Sequence, residues 1–184
     1  VDEDLLENNL RLLHTVEERT GCRILLALKG FSMYSLFRLL GQYLSGVTAS
    51  GLFEARLGFE EMGKEVHVFS PAYSRQELED LLPYVDHMVF NSFHQWEMYR
   101  EKVQSCGKNI ECGIRINPGY SEIETDIYNP CFPGSRLGTT LENFRPEKLD
   151  GISGLHFHTM CEQGAETLAR TVDVVCEKFG KWLL

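Results

Sequence analysis

Apolar positions along the chain alternate between two rhythms. Compact runs rich in β-branched residues lie at 23–29, 46–50, 65–70, 87–92, 111–117 and 151–159, and the first five begin about twenty residues apart. Between them the spacing turns helical. Leu36, Leu39, Leu40 and Tyr43 share one face, Phe53, Leu57 and Met62 the next, and Leu78, Leu81 and Leu82 a third. Trp96, Tyr99 and Val103 mark a fourth helix, and Leu168, Val172, Val175 and Phe179 a fifth. A further helix over 4–18, carrying Leu5, Leu6, Leu10, Leu13 and Val16, leads into the first strand. The punctuation agrees. Ser74 with Glu77 reads as a capping box, Ser35 and Ser92 are candidate N-caps, and Gly63 and Gly107 stand where helices stop.

Strand-then-helix alternation predicts parallel strands joined by right-handed crossovers. An open doubly wound sheet and a (β/α)8 barrel both satisfy it, and the ends of the predicted strands choose between them. Lys29, Ser50, Ser70, Asn91 with Ser92, Arg115 with Asn117, and His156 with His158 put a polar or reactive side chain at nearly every one. That is how barrel active sites are built, whereas an open sheet gathers its ligand groups at one switch point behind a glycine-rich turn, and no GxGxxG or GxxxxGK[ST] occurs. The fold class expected is α/β: a partial (β/α)8 TIM-type barrel of about six βα units. Residues 1–184 are expected to form one truncated barrel domain of a longer chain, since eight units are needed and the sequence opens without Met.

Composition narrows the function. A net charge of −9 opposes binding to nucleic acid and favours a cationic ligand, and no apolar run is long enough to cross a bilayer. No secretion signal is visible, and six cysteines without a CxxC pair suit reduced thiols in a cytoplasmic protein. Cys22, Cys112 and Cys176 are read as small core residues. The His156-x-His158 spacing invites a metal-hydrolase reading. Such pairs usually sit on the first strand with further ligands downstream, so no metal site is expected, and His14, His67, His87 and His94 are assigned structural or surface roles.

Lys29 closes the run Ile24-Leu25-Leu26-Ala27-Leu28. An amine desolvated there has a lowered pKa and suits a Schiff base, while the plain alternative is a lysine that snorkels to solvent. Its neighbours carry a resemblance. Leu26-Ala27-Leu28-Lys29 is similar to the lysine motif of the fold-type III enzymes that use pyridoxal 5'-phosphate (PLP). Thr48-Ala49-Ser50-Gly51 with Glu54, Arg115-Ile116-Asn117-Pro118-Gly119, Ser135-Arg136-Leu137-Gly138 and Gly154-Leu155-His156-Phe157-His158 follow in the order that superfamily requires. Leu28-Lys29-Gly30-Phe31-Ser32-Met33, Ser70-Pro71-Ala72-Tyr73, Phe90-Asn91-Ser92 and the stretch from His156 to Gln163 resemble more narrowly the carboxynorspermidine decarboxylase family.

The resemblance implies a PLP-dependent carboxy-lyase of polyamine biosynthesis with Lys29 and His158 catalytic. It implies that Lys29, Ser50, Glu54, Arg115 and His158 bind the cofactor, with His158 against the PLP ring. Arg115 could equally make a barrel-interior ion pair, and Glu54 could be an ordinary helix N-terminal acid. Cys161 and Glu162 stand where relatives have Gly-Ser. The substrate implied is a small cationic carboxylated polyamine, and the full-length protein is expected to be a homodimer. A diaminopimelate decarboxylase and a non-catalytic PLP-binding barrel are the competing readings.

Overall fold

The computed structural model describes residues 1–183. It contains seven strands: β1 (Leu25–Ala27), β2 (Gly46–Ala49), β3 (Glu65–Phe69), β4 (His87–Phe90), β5 (Glu111–Asn117), β6 (Thr139–Thr140) and β7 (Gly154–His156). The α-helices are α1 (Glu3–Thr20), α2 (Phe37–Leu40), α3 (Leu52–Leu57), α4 (Arg75–Leu81), α5 (Phe93–Gln104) and α6 (Ala165–Phe179). The chain divides into two compact units, one of Val1–Met88 with Gln104–Ile110, the other of Val89–Val103 with the residues from Glu111 onward.

In the first unit β1, β2 and β3 pair in parallel, with Leu25 opposite Gly46 and Gly46 opposite Glu65. Val66 and Val68 of β3 are buried while Glu65 and His67 are half-buried, the alternation of a strand with two unlike faces. Ser74 caps α4 as the sequence predicts, accepting from the Glu77 N–H at 3.2 Å, and Leu78 and Leu81 turn inward. Gly63 stops the helix that joins β2 to β3, in the left-handed region, φ 63°. Just before it, residues 58–62 form a π-turn in which the Gly63 N–H reaches the Gly58 carbonyl at 3.3 Å. A side chain at Gly58 would strike Val47, so the missing Cβ lets the helix close on β2.

Gly46 is tighter still, because a Cβ there would overlap the Glu65 carbonyl oxygen. Gly46→Ala is expected to destabilise the protein by roughly 1–3 kcal/mol, measured as a lower urea midpoint at unchanged m. An unchanged midpoint would show that β2 and β3 can part without cost.

In the second unit β5 pairs in parallel with β6 and with β7. β5 occupies the residues predicted for it, and all but Glu111 are buried. Ser92 caps α5, accepting from the Gln95 N–H at 3.3 Å, and Phe93, Trp96, Tyr99 and Val103 face the core. Phe144 meets Phe93 and Phe179 edge-on, at 5.3 and 5.4 Å between ring centroids.

Several expectations need correction. Ser35 lies inside a 3-10 turn (Tyr34–Leu36) that begins the second helix and caps nothing. Phe53 points to solvent, 86% exposed. On α6 the buried stripe is Thr167, Thr171, Val175 and Phe179, with Leu168 and Val172 exposed. On α1 only Leu10 is buried among the described apolar residues. Cys22 and Cys176 are exposed and only Cys112 is core. β6 is not among the predicted runs, and the sixth of those, 151–159, holds only three strand residues, those of β7.

Candidate active site

Lys29 sits in the turn that leaves β1. The Gly30 and Phe31 N–H groups both donate to the Ala27 carbonyl, at 2.9 and 3.1 Å, while Leu28, 1% exposed, is pinned to β2 through the Thr48 carbonyl. That turn leaves the Lys29 side chain exposed among the described residues. The side chain that goes inward at the end of β1 is Leu28, and the residues of β1 itself are half-buried. Among the described residues Lys29 has no ion-pair partner, which leaves the amine accessible.

Ser50 and Glu54 meet at the start of the next crossover. The Ser50 N–H donates to the Glu54 carboxylate at 2.7 Å, so this acid reaches back over the first turn of α3 and serves the helix terminus. Both residues line a cavity of about 590 Å³ with Gly51, Ser74, Glu77 and Asp80. The carboxylates there give the cavity a negative character that suits a cationic ligand.

The second unit brings the other site residues together. Arg115, 4% exposed on β5, stands level with His156 of β7, and its guanidinium donates to the His158 carbonyl at 3.3 Å. Burial pushes the Arg115 guanidinium below its ordinary range. The backbone of residue 158 is therefore tied to a buried side chain, and the following residue is held too, by the Ser121 hydroxyl donating to the Thr159 carbonyl at 2.7 Å. His158 lies past the end of β7 and is exposed, so strand alternation does not orient it with His156.

Asn117 accepts from the Gly119 N–H at 2.9 Å and closes the Asn-Pro-Gly turn, where Gly119 has φ 64°. Sequence reasoning missed the role of Asn91. Its side chain accepts from the Gly138 N–H at 2.8 Å and donates to the Arg136 carbonyl at 2.9 Å, clamping the segment that leads into β6. The signal was the polar residue at the end of β4, already noted without a partner.

Burial lowers the His156 pKa to about 4 from the ordinary 6.5, with the charges of Arg115 and His158 adding to the effect. The ring is neutral at pH 7. The unfolded chain binds a proton that the folded chain refuses, so stability is full above pH 6.5 and falls as pH drops toward about 4. His156→Gln is expected to flatten that slope by of the order of 1–3 kcal/mol, read from urea midpoints taken across the window. A slope equally steep in the variant would locate the proton uptake elsewhere.

No family model matches the chain. The curated carboxynorspermidine/carboxyspermidine decarboxylase of Campylobacter jejuni is 42% identical over 183 residues, which is 100% of this chain and 47% of that protein. A carboxyaminopropylagmatine decarboxylase of Synechocystis is 39% identical over the same share of each. The crystal structure of the Campylobacter jejuni carboxynorspermidine decarboxylase, complexed with norspermidine, superposes with a TM-score of 0.85 at 38% identity over 97% of this chain and 45% of that one. In fold and sequence the chain is thus similar, along its whole length, to decarboxylases with fold-type III barrels. It is similar in particular to the carboxynorspermidine/carboxyspermidine decarboxylases, and it spans about half the length of the curated relatives it matches.

Proposed function

We propose that this chain is the barrel part of a PLP-dependent decarboxylase that acts on carboxynorspermidine or carboxyspermidine in polyamine biosynthesis, with residues 1–184 as its truncated N-terminal barrel domain. The observation that carries the reading is 42% identity along the whole chain to a decarboxylase of that name. It favours the polyamine substrate over diaminopimelate and over a non-catalytic barrel. The reading extends to a cytoplasmic homodimer, as the family resemblance implies.

The residues present fit the cofactor. Lys29 offers an accessible amine for a carbonyl group. In the loop beyond β7 the Thr159 hydroxyl and the Gln163 side-chain oxygen are buried with no hydrogen-bond partner among the described residues, so a polar ligand group would satisfy them. PLP supplies an electron sink for the bonding pair released when carbon dioxide leaves the substrate. In this reading Lys29 would hold the cofactor, and the exposed His158 ring would help to keep water from it. Arg115 fixes the backbone that carries His158, a part independent of any direct contact with the cofactor. Ser50 and Glu54 line a rim whose negative charge favours the protonated amines of a polyamine.

Borohydride reduction of the PLP-loaded full-length protein followed by peptide mapping tests the lysine, and modification at any residue other than Lys29 would overturn its role. Release of carbon dioxide from carboxynorspermidine, carboxyspermidine, carboxyaminopropylagmatine and diaminopimelate tests the substrate. The first two are expected to be turned over fastest. Preference for the third would move this chain toward the Synechocystis relative, and preference for the last would reject the polyamine reading.

A further inference from the structure

The first unit carries a second cluster of chemical groups, on the opposite ends of the strands from Lys29 and Ser50. Glu65 opens β3, His67 follows two residues later on the same face, and His87 opens β4. The His67 Nε2 lies 3.2 Å from the Glu65 Oε2, and the His87 Nε2 lies 3.9 Å from that same oxygen. One ligand atom from each residue falls within 4.8 Å of the other two, and the three side chains are 25%, 24% and 32% exposed for His67, His87 and Glu65. The sequence assigns both histidines structural or surface roles, because they are scattered along the chain.

We propose that Glu65, His67 and His87 form a binding site for a divalent transition-metal cation of the zinc type. Two imidazoles and one carboxylate make a borderline donor set that suits such ions and leaves a further position open. Ligand atoms around tetrahedral zinc lie about 3.3 Å apart, given bonds of about 2.0–2.1 Å, so small movements bring these three into place. The histidine rings now stack, with centroids 3.9 Å apart and planes 17° from parallel. A metal must lie in the plane of each ring it binds, so one ring has to turn about its Cβ–Cγ bond. That torsion is broad and soft.

The surrounding charges support the carboxylate as a ligand. Glu65 uses its other oxygen, Oε1, to pair with Arg23, which orients the group and leaves Oε2 turned toward the imidazoles. Asp86 lies next to His87 in sequence and is committed elsewhere, accepting from the Val66 N–H at 2.9 Å and pairing with Lys108 at 3.0 Å. A cation held here would staple β3 to β4.

Zinc chloride titrated into the full-length protein by calorimetry, with cobalt chloride followed by absorbance, tests the site. One equivalent is expected to bind, without a thiolate-to-cobalt charge-transfer band. His67→Ala, His87→Ala and Glu65→Gln should each weaken it at least about tenfold. Binding that survives these changes, or that shows thiolate character, puts the metal on the cysteines and overturns the proposal, as does no binding at all. Should a variant fail to fold, imidazole nitrogen shifts in the unmodified protein decide. Zinc must move those of His67 and His87, and shifts confined to other histidines sink the site.

Discussion

Lys29→Ala is expected to lower carbon dioxide release by the full-length protein at least about a thousandfold, while stability changes by no more than about 0.5 kcal/mol. The asymmetry follows from where the residue sits. Its side chain is exposed in the turn after β1, and the turn itself is held by backbone bonds to the Ala27 carbonyl that alanine leaves intact. Lys29→Arg should not restore activity, because a guanidinium stays charged and cannot attack a carbonyl. Measuring kcat alongside the urea midpoint separates the two effects. Turnover within tenfold of the unmodified protein would reject Lys29 as the residue that holds the cofactor.

Trp96→Ala should act in the opposite sense, through the fold. The indole of α5 is 1% exposed, packs against Phe90 at 5.3 Å between centroids, and donates its N–H to the Asp150 carbonyl at 3.3 Å. Removing it leaves a cavity and an unsatisfied carbonyl, at a cost of about 3–5 kcal/mol, a large share of the stability of an ordinary domain. Trp96→Phe should recover most of that loss while still lacking the hydrogen bond. Equilibrium urea unfolding reads both, and a loss below about 1.5 kcal/mol for the alanine variant would mean the site collapses to fill the gap.

The contrast between these residues shows what the sequence made legible. β5 could be read to the residue because six of its seven positions are buried and Cys112, Ile114 and Ile116 recur at every second position. β6 could not, since its two residues are placed by the Asn91 clamp on the segment before it and by Gly138, whose φ of 81° brings the backbone against Ile116. α6 misled in a different way. Threonine counts as polar in a pattern, yet Thr167 and Thr171 are the buried ones, and the Thr167 hydroxyl spends its proton on Glu122 at 2.9 Å. The candidate site divided along the same line. The residue types at strand ends marked Lys29, Arg115 and His158, but only coordinates reveal that Arg115 grips the backbone of residue 158 and that Glu54 serves its own helix. The Glu65, His67 and His87 cluster was invisible because register, not spacing, assembles it.

The π-turn at Gly58–Met62 bears on how such a chain can change length over generations. A turn closed from Gly63 to Gly58 holds one residue more than an α-turn would, and both of its ends are glycines. Loss of a single residue there lets the helix revert to ordinary α geometry while β2 and β3 keep their pairing. Single-residue length variants among descendants of this protein should therefore gather in that turn, and not in the strands it joins.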